Sequence, residues 1–325
     1  MNKVNDTSRD QGLGILAVLF AALVWGTTGT AATFAPEVGA AAIGAAAMGL
    51  GGLLQALRAG RGILRALPDL ARNRRLLILG GVAVAVYPLA FYGSMRLAGV
   101  TIGTVVTIGS APLLSALIER IFDGTRLSAR WLAGALTGVA GILLLCLAEG
   151  GAGRGASDTG DAVIAGIGLG LIGGFTYALY SWTARGLMLR GLRSSVAMGA
   201  TFGIGGLLLM PVLAMTGAPF LASWGNAAVG IYMALVPMFL GYICFGLGLA
   251  RIPASMATTI SLIEPVVAAI LAILVVGERL PPAGWAGVGL VIACLAIVTL
   301  PARRRQGQPL RTARPAATSS GPERP

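Results

Sequence analysis

Ten stretches of this chain, each about 20 residues long, run almost without charge, and no other feature so narrows what it can fold into. They cover 12–34, 38–57, 76–95, 100–118, 131–148, 162–184, 196–215, 229–250, 254–276 and 283–300. A bilayer's hydrocarbon core is about 30 Å thick, and a helix needs about 20 predominantly apolar residues to cross it. Only 11% of the residues are charged and 56% are hydrophobic, whereas a soluble domain carries about 25% charged residues. The expected fold class is therefore all-α integral membrane, with about ten transmembrane helices.

The net charge of +12 would suit a nucleic-acid partner if the basic residues lined one face, but they fall between the apolar runs, which argues against one. Counted over alternate connections, all but three of the 24 Lys and Arg residues lie on one side, the exceptions being Arg96, Arg154 and Arg279. The positive-inside rule makes that side cytoplasmic, both termini included, and the lipid partner a plasma or inner membrane. So lopsided a bias also checks the span count, since one helix more or fewer would scramble it. The first run is too long, and its flank of Lys3, Asp6, Arg9 and Asp10 too nearly neutral, for a cleaved signal peptide. Rich in Pro, Arg, Thr and Ser, the segment 301–325 cannot bury a core and reads as a disordered basic tail, with Arg303, Arg304 and Arg305 at the anionic inner leaflet. Cys146, Cys244 and Cys294 are scattered through apolar runs and there is no histidine, so neither a disulfide framework nor a metal site is expected, and no cofactor is implied.

Shifted by 153, APLLSALIERIFDGTRL at 111–127 lies over EPVVAAILAILVVGERL at 264–280, so that Pro112 meets Pro265, Ala116 meets Ala269 and Gly124 meets Gly277; downstream, Gly134 meets Gly287. The shift joins the fourth run to the ninth and the fifth to the tenth. Because that is an odd number of spans, the second copy enters the membrane from the opposite side. The chain then reads as two inverted five-helix repeats, 12–148 and 162–300, joined by an external linker at 149–161 and preceded by a cytoplasmic tail at 1–11. Oppositely threaded halves give two similar packings whose exchange opens a midplane site to one face and then the other, which is the logic of a secondary transporter.

ALVWG at 22–26, the proline after a short polar patch in the fourth and ninth runs, GERL at 277–280 and the glycine-spaced tenth run together resemble the drug/metabolite transporter superfamily, specifically its ten-span EamA type. The resemblance covers 12–300. SLIEPVVAAI at 261–270 looks most like members that export amino acids such as threonine and homoserine. DGTRL at 123–127 stands where the family often has a Gly-Glu pair, so Glu278 has no counterpart in the first half. The resemblance implies a cavity lined by the first, third, fourth, sixth, eighth and ninth spans, with Trp25, Tyr87 and Tyr180 as candidate walls.

The chemistry centres on Glu264, which lies about ten residues into its run and therefore near the bilayer centre at about 1.5 Å per residue. Burying a charged acid there costs several kcal/mol, so it must face protein or a water-filled cavity. It either binds a proton or a substrate ammonium, or stays protonated and donates to a backbone carbonyl such as that of Ser261, left open by Pro265. Pro112 and Pro265 are expected to break their helices at matching points, baring the carbonyls of Ile108 and Ser261. Around them, Thr104, Thr107 and Ser110 in one half and Thr258, Thr259 and Ser261 in the other are candidate substrate ligands, or else polar glue between helices. Arg96 and Glu119, at span ends, are expected to snorkel to water, with a gating salt bridge as the alternative. GLGLIG at 168–173 fits a dinucleotide fingerprint only in letters, because it lies inside an apolar run; Gly166, Gly170 and Gly174 instead form a stripe for close helix packing.

The function expected is secondary active export of a small metabolite, an amino acid or related amine or carboxylate, by proton antiport with alternating access. No P-loop motif is present to use ATP. The competing readings are a multidrug exporter of the same fold and, remotely, an intramembrane enzyme, which lacks a converging nucleophile and base. A homodimer is left open.

Overall fold

The computed structural model describes residues 2–150, 160–276 and 280–300. Arg154, Glu278, Arg279, the tail 301–325 and most of the linker 149–161 lie outside the described residues. Among those described there is no strand, and nine helices are long and apolar enough to cross a membrane. The first to fourth spans are Arg9–Thr33, Ala40–Arg65, Arg74–Ala98 and Ile102–Phe122; the sixth to tenth are Asp161–Leu189, Ser194–Thr216, Trp224–Leu249, Ala254–Val275 and Pro282–Thr299. The fifth is the apolar part, Ala129–Leu145, of a helix running Ala129–Gly150. Large side chains such as Leu16, Leu171, Leu247 and Ile292 stay exposed on the outside of this bundle, as contact with lipid requires.

Neighbouring spans repeat under a simple exchange. The third packs on the sixth, the fourth on the sixth and the third on the seventh; moving each partner five places along gives the eighth on the first, the ninth on the first and the eighth on the second, all of which also pack. Fifth on tenth, second on seventh and fourth on ninth map onto themselves. The register between fifth and tenth is the 153-residue shift itself. A Cβ added at Gly134 would stand 2.6 Å from Val298, and one added at Gly287 would stand 2.7 Å from the backbone nitrogen of Leu145, the residue matching Val298. Small residues here let two backbones approach more closely than any side chain permits, which is how helices gain packing energy where water gives no hydrophobic drive.

Regular helix fails where the halves face each other. The first span turns at Gly26 and Thr27, between helices Asn2–Trp25 and Thr28–Thr33. The second holds a π-helical stretch at Ala45–Leu50, and the eighth another at Ala234–Gly241 around Pro237. In the ninth, a 3-10 turn at Ser261–Ile263 separates Ala254–Ile260 from Glu264–Leu271. Such interruptions are tolerated at this depth only inside protein or beside a cavity. The expectation of two broken helices is corrected in the first half, where Pro112 sits within one continuous helix, Val100–Phe122. A single missing N–H is absorbed there because the fifth, sixth and ninth spans hold the helix on several sides.

Candidate functional site

A cavity of about 40 Å³ opens between the first, second, third, sixth, eighth and ninth spans. Its acid is Glu264, the first residue of the helix that resumes after the 3-10 turn. Two ion pairs occur among the described residues, Arg72 with Asp69 and Arg251 with Asp10, and both are at the surface. Glu264 therefore faces the cavity without a protein cation to balance it.

Aromatic rings make the floor and one wall. The Trp25 indole, 3% exposed, donates to the carbonyl of Pro237 at 2.9 Å and lies 4.7 Å from the Tyr242 ring and 5.1 Å from Phe245. One bond to an irregular carbonyl thus fixes both the ring and the π-helical stretch that carries it. From the third span Tyr87 stacks on Phe91 at 6.0 Å, and Tyr92 completes that side of the cavity. Tyr177 of the sixth span lies 5.6 Å from Tyr87 and donates to the Ser261 hydroxyl at 2.8 Å. Thr28, Gly44, Ala47, Met48, Pro88 and Met238 supply the remaining surface.

Glycine sets how near the first span comes to the acid. A Cβ at Gly26 would stand 2.5 Å from the Cβ of Val267 and 2.8 Å from the carbonyl oxygen of Glu264. In the other half a Cβ at Gly174 would stand 2.7 Å from the carbonyl of Thr107 and 3.4 Å from the nitrogen of Ala111, which the 153 shift pairs with Glu264. The two contacts are alike in kind, each a glycine against the backbone of the proline-bearing helix, but the acid is present on one side only.

Of the residues singled out in the sequence, Trp25, Tyr87 and Glu264 meet at the cavity, and Pro265 is buried directly behind the acid. Tyr180 does not line it: fully buried, it lies one layer beneath, its hydroxyl 2.8 Å from that of Tyr242. Thr258 and Ser261 are also buried and turned to their own helix, Thr258 donating to Ala254 and Ser255 and Ser261 to Thr258. Thr107 and Ser110 sit in the contact between fourth and sixth spans, where Ser110 donates to the Thr107 carbonyl. In the ninth span the polar patch before the proline therefore serves its own helix, whereas in the fourth the buried Thr107 hydroxyl has no hydrogen-bond partner among the described residues. The second span lines the cavity and the fourth does not, reversing that part of the expectation. Phe91 and Tyr92 had a signal in the four- and five-residue spacing from Tyr87; the Gly- and Ala-rich second span had none.

Glu119 does not snorkel. It is 4% exposed, and its carboxylate accepts from the backbone nitrogens of Ala254 and Ser255 at 2.7 and 3.3 Å and from the Ser255 hydroxyl.

A cavity between paired helical halves, with one acid and a broken helix at its edge, is the anatomy of a membrane transporter rather than an enzyme. The chain belongs to the EamA-like transporter family, whose sequence pattern matches residues 12–147 and again 164–300. It is 30% identical over 294 residues to a Bacillus subtilis protein described as the uncharacterized transporter YwfM, covering 90% of this chain and 95% of that one. It is 26% identical over 300 residues, 88% of this chain and 97% of the other, to a probable terminal-alkyne amino-acid exporter of Streptantibioticus cattleyicolor. A Salmonella typhimurium protein, the uncharacterized inner membrane transporter YicL, is 25% identical over 90% of this chain and 97% of its own length. A solved crystal structure shares the fold with a TM-score of 0.72 at 20% identity, over 90% of this chain and 99% of the other.

Proposed function

We propose that this transporter exports a small amine-bearing metabolite, an amino acid or a close relative, in exchange for protons. The observation that carries the reading is Glu264, an acid with no cation against it among the described residues, sharing its cavity with the rings of Trp25, Tyr87, Tyr92 and Tyr177. A carboxylate and aromatic faces share one preferred guest, an ammonium group, which gains from the charge and from the ring quadrupoles. The same carboxylate can hold a proton when the amine is absent, so the two cargoes exclude each other and exchange follows. An amino-acid exporter among its relatives supports that choice of solute.

A cavity of about 40 Å³ has room for a few waters and not for an amino acid. Loading therefore requires the repeats, 12–148 and 162–300, to move against each other, as alternating access does. By the positive-inside rule the arginine-rich face is cytoplasmic, together with the N-terminus. Met48 and Met238 in the lining support a second reading, a looser site for apolar drugs.

The test is counterflow of radiolabelled solutes in proteoliposomes, wild type against Glu264→Gln. Amino acids or amines should exchange in the wild type and not in the variant, and an imposed pH gradient should drive wild-type uptake. Unchanged exchange in Glu264→Gln overturns the role of the acid. Flux indifferent to the gradient overturns proton coupling, and competition by apolar cations but no amino acid moves the assignment to the drug exporter.

A further inference from the structure

Two charged side chains that the transport site does not use hold the turn between the eighth and ninth spans from opposite ends. Arg185, at the end of the sixth span, donates to the carbonyls of Leu249 and Ile252 at 2.5 and 2.6 Å, where the eighth span stops. Glu119, near the end of the fourth, accepts both backbone N–H groups at the start of the ninth and the Ser255 hydroxyl. Each charge matches the helix end it meets, cation to C-terminus and anion to N-terminus, and each satisfies groups that a helix end leaves open. Behind this turn Thr258, Ser261, Tyr180 and Phe245 are fully buried, so the protein is closely packed between the turn and the cavity.

At the matching turn on the opposite face no such grip occurs among the described residues. The 153 shift places Ala272 where Glu119 stands and Ile102 where Ser255 stands. An alanine cannot accept those bonds and an isoleucine cannot donate one. The scaffold is two-fold, but this fastening is one-sided.

We infer that Glu119 and Arg185 are positioning residues forming a latch on the gate at the arginine-rich face, biasing the carrier toward the state closed on that side. Opening pulls the turn off both side chains. The freed carboxylate and guanidinium then meet water at the membrane surface, so the open state remains reachable and the latch sets a ratio rather than a lock. The inference rests on the transport reading above, and on it for the naming of faces.

The test follows opposite movements at two depths. With Cys146, Cys244 and Cys294 replaced by alanine, a single cysteine is placed at Thr258, behind the latch, or at Thr28, in the cavity lining. A membrane-impermeant thiol reagent is applied to inside-out and right-side-out vesicles. Glu119→Gln, or the milder Ser255→Ala, should speed labelling of Thr258→Cys from the arginine-rich face at least about tenfold, since a bond to a charged group shifts a two-state ratio by that much. Labelling of Thr28→Cys from the other face should slow in the same proteins. No change at Thr258→Cys overturns the latch, as does faster labelling at both positions, which signals a loosened fold. Opposite changes with the vesicle orientations exchanged keep the latch and overturn the assignment of the cytoplasmic face. Loss of counterflow in the Glu264 test with the labelling pattern intact separates the gate from the transport chemistry.

Discussion

Replacing Gly26 by alanine is the smallest change that should disturb the site without touching its chemistry. The new methyl carbon would stand 2.5 Å from Val267 Cβ, 2.7 Å from its Cγ1 and 2.8 Å from the Glu264 carbonyl oxygen, against an ordinary carbon contact of about 3.5–4.0 Å. Two of these obstacles are a branch point and a backbone atom, neither of which can swing aside. The first and ninth spans must therefore separate by about 1 Å, and overpacking of this kind costs about 1–3 kcal/mol. Gly29, three residues on, is the internal control, because nothing lies within 4 Å of a Cβ added there. In detergent, thermal unfolding should drop by several degrees for Gly26→Ala and stay level or rise for Gly29→Ala, where alanine gains up to about 1 kcal/mol in helix propensity. Gly174→Ala, against the Thr107 carbonyl at 2.7 Å, should lose stability as Gly26→Ala does. It leaves Glu264 in place, so exchange per folded molecule should fall further in Gly26→Ala. Equal melting of the Gly26 and Gly29 variants would refute the steric reasoning, and equal exchange in the Gly26 and Gly174 variants would refute the link to the acid.

Two further substitutions probe single contacts. Trp25→Phe keeps an aromatic ring in place but leaves the Pro237 carbonyl without its donor at 2.9 Å, and should destabilise by about 1–3 kcal/mol in a chemical or thermal melt while Trp182→Phe, whose indole bonds to exposed Asp123, costs less. Gly287→Ala forces a methyl to 2.6 Å from the Gly141 carbonyl and should lower the melting temperature, yet leave the solute profile in counterflow unchanged, because the fifth and tenth spans lie away from the cavity.

The scaffold was legible in the sequence because its physics is periodic. Apolar length gave the spans, and one shift of 153 gave the register in which Gly134 and Gly287 pack. The site was legible in part, where a residue type is costly at depth: Glu264 in lipid must face something. It failed for side chains whose cost can be met locally. A hydroxyl such as that of Thr258 or Ser261 finds a carbonyl one turn back in its own helix, so its place beside a proline says nothing about a ligand. It failed also for the second span, since Gly44 and Ala47 reach the cavity by being small, and a small residue lining a site looks like one lining a helix contact. Glu119 was misplaced because counting residues from a span's end measures depth and not what another helix brings to that depth.

What the halves do not share locates function better than what they do. The contacts that obey the exchange, fifth with tenth and second with seventh, are made through backbone and glycine. Three departures bear on the site and its gate: the acid where the first copy has Ala111, the 3-10 turn at Pro265 where Pro112 leaves its helix whole, and the grip of Glu119 where the match is Ala272. A perfectly symmetric pair of halves would hold its two packings at equal energy and bind cargo equally from either side. On the transport reading proposed above, the acid gives the site a preference among solutes, the softened helix beside it gives the ninth span a place to bend, and a fastening on one face alone makes the two directions unequal.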